Sequence, residues 1–200
     1  MCNNSDVGVY PEKVARRARA PKNVGSFGSD FVYGRAASFE CGAAMVIELR
    51  IAGKPGVIEA GRFRTSGCGY MVATAELLIS YLKGRQLTDL HSLPDDEIMT
   101  LLSRELDIGE NERTGCRIVV LEALRGALAL HRETVVSRYQ GDSPLVCSCF
   151  GVSEEVIAEA IRATADATIA TVGEKTKAGT GCGSCQLVLQ SLIDTGGYPG

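Results

Sequence analysis

The sequence predicts an α+β fold: a small antiparallel sheet with helices, followed by a short all-α region. Three observations carry this. Two β-rich runs, "AAMVIELRIAG" and "GVIEAGRFRTSG", are joined by "GKPG", whose glycines and proline supply turn chemistry for a hairpin. Helical periodicity follows in three segments. A polar stretch, "HRETVVSRYQGDSP", then sets off a short last region rich in glycine and cysteine.

Taken in order, residues 11–20 read as a basic helix stopped by Pro21. Lys13, Arg16, Arg17, Arg19 and Lys22, opposed only by Glu12, form either a solvated face or a dock for an acidic partner. In "GYMVATAELLISYLKG", Val72, Ala75, Ile79 and Leu82 keep helical spacing, and Gly84 can end the helix. "PDDEIMTLLSREL" is a shorter helix with acids in its first turn, where the helix dipole favours them. "CRIVVLEALRGALALHRE" offers Val120, Ala123, Leu124, Ala127 and Leu128 as one apolar stripe. In the last region Ser153 is placed to N-cap a helix that opens with Glu154 and Glu155. "CQLVLQSLI" makes a final helix from Cys185.

With 21 basic and 24 acidic side chains, the chain lacks the basic excess of a nucleic-acid binder. No apolar run approaches the roughly 20 residues of a membrane helix. "MCNNSDVGVY" has no apolar signal region. The expected setting is cytoplasmic, where structural disulfides rarely persist. Eight cysteines therefore need metal or redox chemistry as their explanation.

The cysteines fall into two sets, with Cys2 standing alone and read as incidental. Cys147-x-Cys149 and Cys182-x-x-Cys185 flank residues 150–181. Four thiolates from two loops can surround one tetrahedral zinc or one iron–sulfur cluster, and spacing alone leaves both open. Gly173, Gly179, Gly181 and Gly183 let backbone come close, so that amides can reach bound sulfur. Some fifty residues make a thin core, which a metal staple would support. The second set is Cys41, just before the first predicted strand, and Cys68 and Cys116, each at a predicted helix start where thiolate is favoured. Singly, each reads as an inert small hydrophobe. The flanking Gly42, Gly67, Gly69 and Gly115 point jointly to loops that converge on a ligand. His91 and His131 read as surface residues.

Two resemblances sharpen these alternatives. "CSCFGVSEEVI" with "TKAGTGCGSC" resembles the small [2Fe–2S] domain of the bacterioferritin-associated ferredoxin type, over about 145 to 195. It implies one permanent [2Fe–2S] cluster held by Cys147, Cys149, Cys182 and Cys185 in a small all-α helix-turn-helix domain. Residues 8 to 131 resemble the IscU/NifU iron–sulfur scaffold domain through Tyr10 to Val14, "PKNVGSF", the "CG" at Cys41, "GVIEAGRFRTSGCG" and Cys116. That likeness implies iron binding and a transient [2Fe–2S] or [4Fe–4S] cluster built on Cys41, Cys68 and Cys116. It further implies a cysteine desulfurase of the NifS/IscS type as sulfur donor, near Tyr10, and apo iron–sulfur proteins as acceptors. The chain departs from the family pattern at Ala43, where the family usually has Asp, and at Gly115, where it often has His. "IGENERTG" replaces the family's chaperone motif, with Arg113 keeping a basic side chain. Glu40, Glu112 or a ligand from another chain are candidates for the fourth ligand.

The resulting expectation is a scaffold rather than an enzyme, with a scaffold domain over 1–132, a linker over 133–144 and the [2Fe–2S] domain over 145–196. Its partners are proteins, with a homodimer as one option, and no nucleic acid or membrane. The rival readings are a [2Fe–2S] electron-transfer or redox-sensing protein with a degenerate scaffold domain, and a zinc-dependent sulfur acceptor.

Overall fold

The computed structural model describes residues 10–53, 56–91, 93–109 and 111–197, except the side chain of His91. Cys2 and the turn residues Lys54 and Pro55 lie outside them. Contacts divide the chain into two units: Met1–Ala52, Ile58–Arg85 and Leu93–Leu130 in one, and Gly53–Val57, Gln86–Ser92 and His131–Gly200 in the other. The elements run α1 (Glu12–Arg19), β1 (Val32–Ala37), β2 (Ala44–Ala52), β3 (Val57–Thr65), α2 (Gly69–Leu82), α3 (Leu87–His91), α4 (Asp95–Leu106) and α5 (Thr114–Arg138). They continue with β4 (Leu145–Cys147), β5 (Val152–Ser153), α6 (Glu154–Arg162), α7 (Ile169–Thr176) and α8 (Gln186–Asp194). This is the α+β class that the sequence predicts.

In the first unit the sheet has the order β1-β2-β3. β1 pairs antiparallel with β2, from Val32 opposite Leu49 to Ala37 opposite Ala44. Met45, Ile47 and Leu49 alternate along β2 and are fully buried, as a strand with one covered face requires. Helix α2 is the centre of the core. Met71, Ala73, Ala75, Leu78, Ile79 and Leu82 are buried, and Tyr70 and Leu77 nearly so. A helix apolar on all sides is one packed on all sides, so the single stripe read from the sequence understates it. At Gly61 of β3 a Cβ would stand 2.7 Å from Ile79 Cγ2 and 3.3 Å from Leu49 Cδ2, so the missing side chain lets helix and sheet meet there.

The segment "PKNVGSF" runs along β3. Phe63 donates its N–H to the Asn23 carbonyl (2.9 Å), and Gly25 donates to the Phe63 carbonyl (2.9 Å). The buried Glu76 of α2 fixes its start, accepting from the N–H of Lys22 and of Asn23 and from Asn23 Nδ2. Glu48, 2% exposed in β2, fixes its end, accepting from Ser26 Oγ, the Phe27 N–H and Arg64. Each buried carboxylate thus has several donors, which its desolvation demands.

In the second unit, Phe150, Val152, Ile157, Ile161, Val172, Ala178, Leu189 and Leu192 make the core. It is mainly helical, with β4 and β5 adding a two-stranded ladder that sequence reading missed. Ser153 does stand at the N-cap of α6 but makes no side-chain cap hydrogen bond. Ser143 Oγ accepts the Glu155 N–H instead (3.0 Å), and the Pro144 carbonyl accepts that of Glu154 (2.8 Å). Helix α5 continues to Arg138, so residues 133–138 of the expected linker are helical; "ETVVSR" holds no glycine or proline to stop the helix. His131, read as a surface residue, is half-buried, and burial lowers its pKa.

Candidate metal centres

Cys147 ends β4, Cys149 follows it, and Cys182 and Cys185 stand on the loop before α8, with Cys185 at its N-cap. Two stretches of chain thereby aim four thiols at one place. All four residues line a cavity of about 100 Å³, together with Val146, Ser148, Gly181, Ser184 and Val188. Cys147, Cys149 and Cys185 are buried and Cys182 is exposed. Cys149 and Cys182 bring their sulfurs to 3.3 Å, and Ser184 Oγ lies 3.1 Å from Cys182 Sγ. A Cβ at Gly181 would stand 3.2 Å from Cys149 Sγ and 3.0 Å from the Phe150 ring, so only glycine keeps that wall of the cavity open.

Protonation within this set is unequal. The contact with Cys147 is the main reason that the Cys185 thiol is lowered to about 7, helped by backbone N–H groups. Cys147 is raised. Its contact with Cys149 lowers it, but donation to Cys185 and burial together outweigh that. Among the described residues no group of three or more His, Cys, Asp or Glu side chains is placed to hold a metal ion. Thiols spread around a cavity suit a two-iron cluster, whose terminal ligands divide between two centres. The donor set, the cavity and the open Gly181 wall fit such a group.

The other thiols meet in the first unit. Cys68 is the N-cap of α2, and Cys116 lies in the first turn of α5. Their sulfurs are 3.9 Å apart, and both residues are half-buried. Cys68 is lowered to about 5, first by the hydrogen bond from Cys116, then by the backbone N–H groups of Met71 and Tyr70, with Arg113 adding positive charge. Cys116 is raised for the complementary reasons, donation to Cys68 and burial. The contact thus favours ionisation of one thiol of the pair, with the other holding the proton between them. Cys41 is exposed on the loop between β1 and β2, not ahead of the first strand, because β1 was not recognised in the sequence. It is lowered first by the Ser38 hydroxyl and then by the Ala43 backbone.

Tyr10 and Tyr70 frame Cys68. The Gly69 N–H donates to Tyr10 Oη (3.2 Å), and the two rings pack edge to face at 5.1 Å. Tyr70 Oη donates to Glu112 Oε1 (2.7 Å); burial first, and then Glu112, push its hydroxyl up to about 12. Arg113 lies over the Tyr70 ring, 5.6 Å from its centre. Ala43 is buried and has no donor atom to offer.

The thiol pair gives a direct pH test. Alkylation of Cys68 by iodoacetamide, followed peptide by peptide by mass spectrometry, should rise through about pH 5 and be flat by neutrality. In Cys116→Ala the rise should move toward the ordinary thiol range, because the largest stabiliser of the thiolate is gone. An unmoved profile would show that the backbone amides alone set it.

A four-thiol cavity in one unit and a close thiol pair in the other define a class: proteins with two separate thiol sites suited to soft metal groups. Residues 9–138 match the family model of the NifU-like N terminal domain, and residues 145–195 match that of the BFD-like [2Fe-2S] binding domain. The chain belongs to the NifU-like N-terminal domain family, with a BFD-like [2Fe–2S]-binding domain following it. It is 29% identical over 184 residues to nitrogen fixation protein NifU of Azotobacter chroococcum mcd 1, covering 92% of this chain and 58% of that protein. With NifU of Nostoc sp. (strain PCC 7120 / SAG 25.82 / UTEX 2576) it shares 27% over 192 residues, covering 92% and 63%. The iron-sulfur cluster assembly scaffold protein IscU of Escherichia coli (strain K12) is 29% identical over 124 residues, covering 60% of this chain and 92% of IscU. The chain thus spans about three-fifths of the length of the NifU proteins it matches. Among the described residues no helix is long and apolar enough to cross a membrane.

Proposed function

We propose that the protein is a scaffold for iron–sulfur cluster assembly, with Cys41, Cys68 and Cys116 receiving iron and sulfur as cargo and Cys147, Cys149, Cys182 and Cys185 holding a resident [2Fe–2S] cluster. The observation that carries the reading is the Cys68–Cys116 pair, whose sulfurs stand 3.9 Å apart at the starts of two helices, a setting that favours thiolate. A thiolate at neutral pH is the form that takes sulfur from a persulfide and binds iron. Family membership over residues 9–138 supports the same reading. The domains divide as 1–132 and 145–196, joined through the end of α5 over 133–138 and the residues that follow to 144. A cysteine desulfurase supplies sulfur, apo iron–sulfur proteins receive the cluster, and the cytoplasm provides the reducing setting that open thiols need. The chain turns over no substrate of its own.

When bound, the resident cluster supplies one-electron transfer. The chain's part is to exclude water with Cys147, Cys149 and Cys185, to leave Cys182 on the solvent side, and to offer the Ser184 hydroxyl to the Cys182 sulfur.

Anaerobic purification with iron, zinc and sulfide counts tests this. The expected result is one stable [2Fe–2S] cluster as isolated, and a second, labile one after desulfurase and cysteine are added. Unchanged loading of the labile cluster after substitution of Cys41, Cys68 and Cys116 would overturn the scaffold reading.

A further inference from the structure

We propose that Glu40 supplies an oxygen ligand, the fourth donor, to the iron taken up by Cys41, Cys68 and Cys116; this rests on the scaffold reading above. Three thiolates leave a divalent iron short of a ligand, and hard oxygen donors complete such sets reversibly. Two carboxylates flank the trio. Glu112 is already engaged: Oε1 accepts from the Tyr70 hydroxyl at 2.7 Å, and Oε2 accepts the Gly109 N–H at 3.4 Å. Glu40 is exposed and makes no hydrogen bond or ion pair among the described residues.

Its position is the stronger argument. Glu40 Oε2 lies 3.5 Å from where a Cβ at Gly115 would stand. Glu40 precedes Cys41 in the chain, and Gly115 precedes Cys116. The carboxylate therefore lies between two thiol-bearing segments, over a residue in the first turn of α5 that has no side chain to block it. The loop that carries it is held as a tight turn, with Ser38 N–H donating to the Ala43 carbonyl and Gly42 N–H to the Ser38 carbonyl, both at 2.8 Å. Phe39, Glu40 and Cys41 are all exposed on its outer side. A mixed sulfur and oxygen set holds iron less tightly than four thiolates would, which suits cargo that has to leave.

The test uses Co(II) as the probe on the anaerobic holoprotein, stripped of labile cargo with EDTA, its C-terminal site remaining filled. Wild type should show thiolate-to-Co(II) charge-transfer absorption of three-thiolate intensity. Loss of mere outer-shell partners of a metal costs about 10–100-fold in affinity, so Glu40→Gln should weaken Co(II) binding at least about ten-fold. Glu40→Cys should raise the absorption to four-thiolate intensity. An affinity within two-fold of wild type for Glu40→Gln overturns the proposal. So does a three-thiolate spectrum for Glu40→Cys, or a larger loss in Glu112→Gln than in Glu40→Gln. Absence of any thiolate band in wild type overturns the scaffold reading itself, and the proposal with it.

Discussion

A Cys149→Ser variant purified anaerobically emerges without the visible absorption or the iron of the resident cluster, and its second unit melts well below that of the wild type. Cys149 is buried in the wall of the cavity, with its sulfur 3.3 Å from Cys182 Sγ and closely backed by Gly181. Serine at that position has a shorter reach and a hard oxygen with a far higher pKa than a thiol, a poor match for a cluster that prefers soft thiolates. The loss is structural as well as chemical. The core around Phe150, Ile157, Val172 and Leu189 is small, and a bound metal group contributes its binding free energy to folding. A domain of this size shifts by about 4–8 °C per kcal/mol, so losing ~2 kcal/mol of cluster binding moves its transition by about 10 °C. Cys147→Ser and Cys185→Ser should behave alike, since both residues are buried. Cys182→Ser should be the mildest of the four, because Cys182 is exposed and the substituted oxygen stays within reach of water. Iron and sulfide counts with calorimetry check the series; wild-type iron content in Cys149→Ser would remove Cys149 from the cluster.

Much of this site was legible in the chain, for a physical reason. Cys147 and Cys149 lie close together in sequence, as do Cys182 and Cys185, so local spacing already places each pair on one loop. The trio was legible only as types. Nothing local tells that Cys68 and Cys116, 48 positions apart, bring their sulfurs to 3.9 Å. That depends on how α2 and α5 pack, and with it goes the assignment of which thiol ionises. The same holds for the carboxylates. Sequence leaves Glu40 and Glu112 equal; the Tyr70 hydroxyl and Gly109 N–H on Glu112, and the place of Glu40 over Gly115, separate them. Among the elements, α2, α4, α5, α6 and α8 follow apolar periodicity and were readable. β1 was not, because Gly34 and Arg35 interrupt any alternation in "VYGRAA". Helix α7 escaped notice because its start is set by a Thr168–Thr171 capping box, with no acidic residue in its first turn to announce it.

That unreadable strand is where the largest stability effect outside the cysteines is expected. Gly34→Ala should destabilise the first unit by about 3 kcal/mol or more, at or beyond the upper end of ordinary overpacking. A Cβ at Gly34 would stand 2.0 Å from the Ala123 carbonyl oxygen, 2.3 Å from the Ala127 nitrogen and 2.7 Å from the Gly126 carbonyl carbon. All three are backbone atoms of α5, so no side chain can rotate aside. The strand or the helix has to move. β1 resists through its pairing, which holds Gly34 opposite Ile47. Helix α5 resists through Val119, Val120, Ala123, Leu124 and Ala127, all buried. Whichever yields, the shift reaches the thiols, since β1 runs into the loop that bears Cys41 and α5 carries Cys116 in its first turn. The reciprocal change is milder. A Cβ at Gly126 would meet Gly34 Cα at 3.1 Å, and alanine favours a helix interior over glycine by about 1 kcal/mol, which offsets part of the strain. Urea unfolding of the first unit should therefore rank Gly34→Ala far below Gly126→Ala. The Cys68 alkylation profile should shift in the former as the pair with Cys116 is disturbed. A Gly34→Ala midpoint equivalent to within about 0.5 kcal/mol of wild type, the range of neutral surface changes, would mean that β1 and α5 do not touch at the backbone.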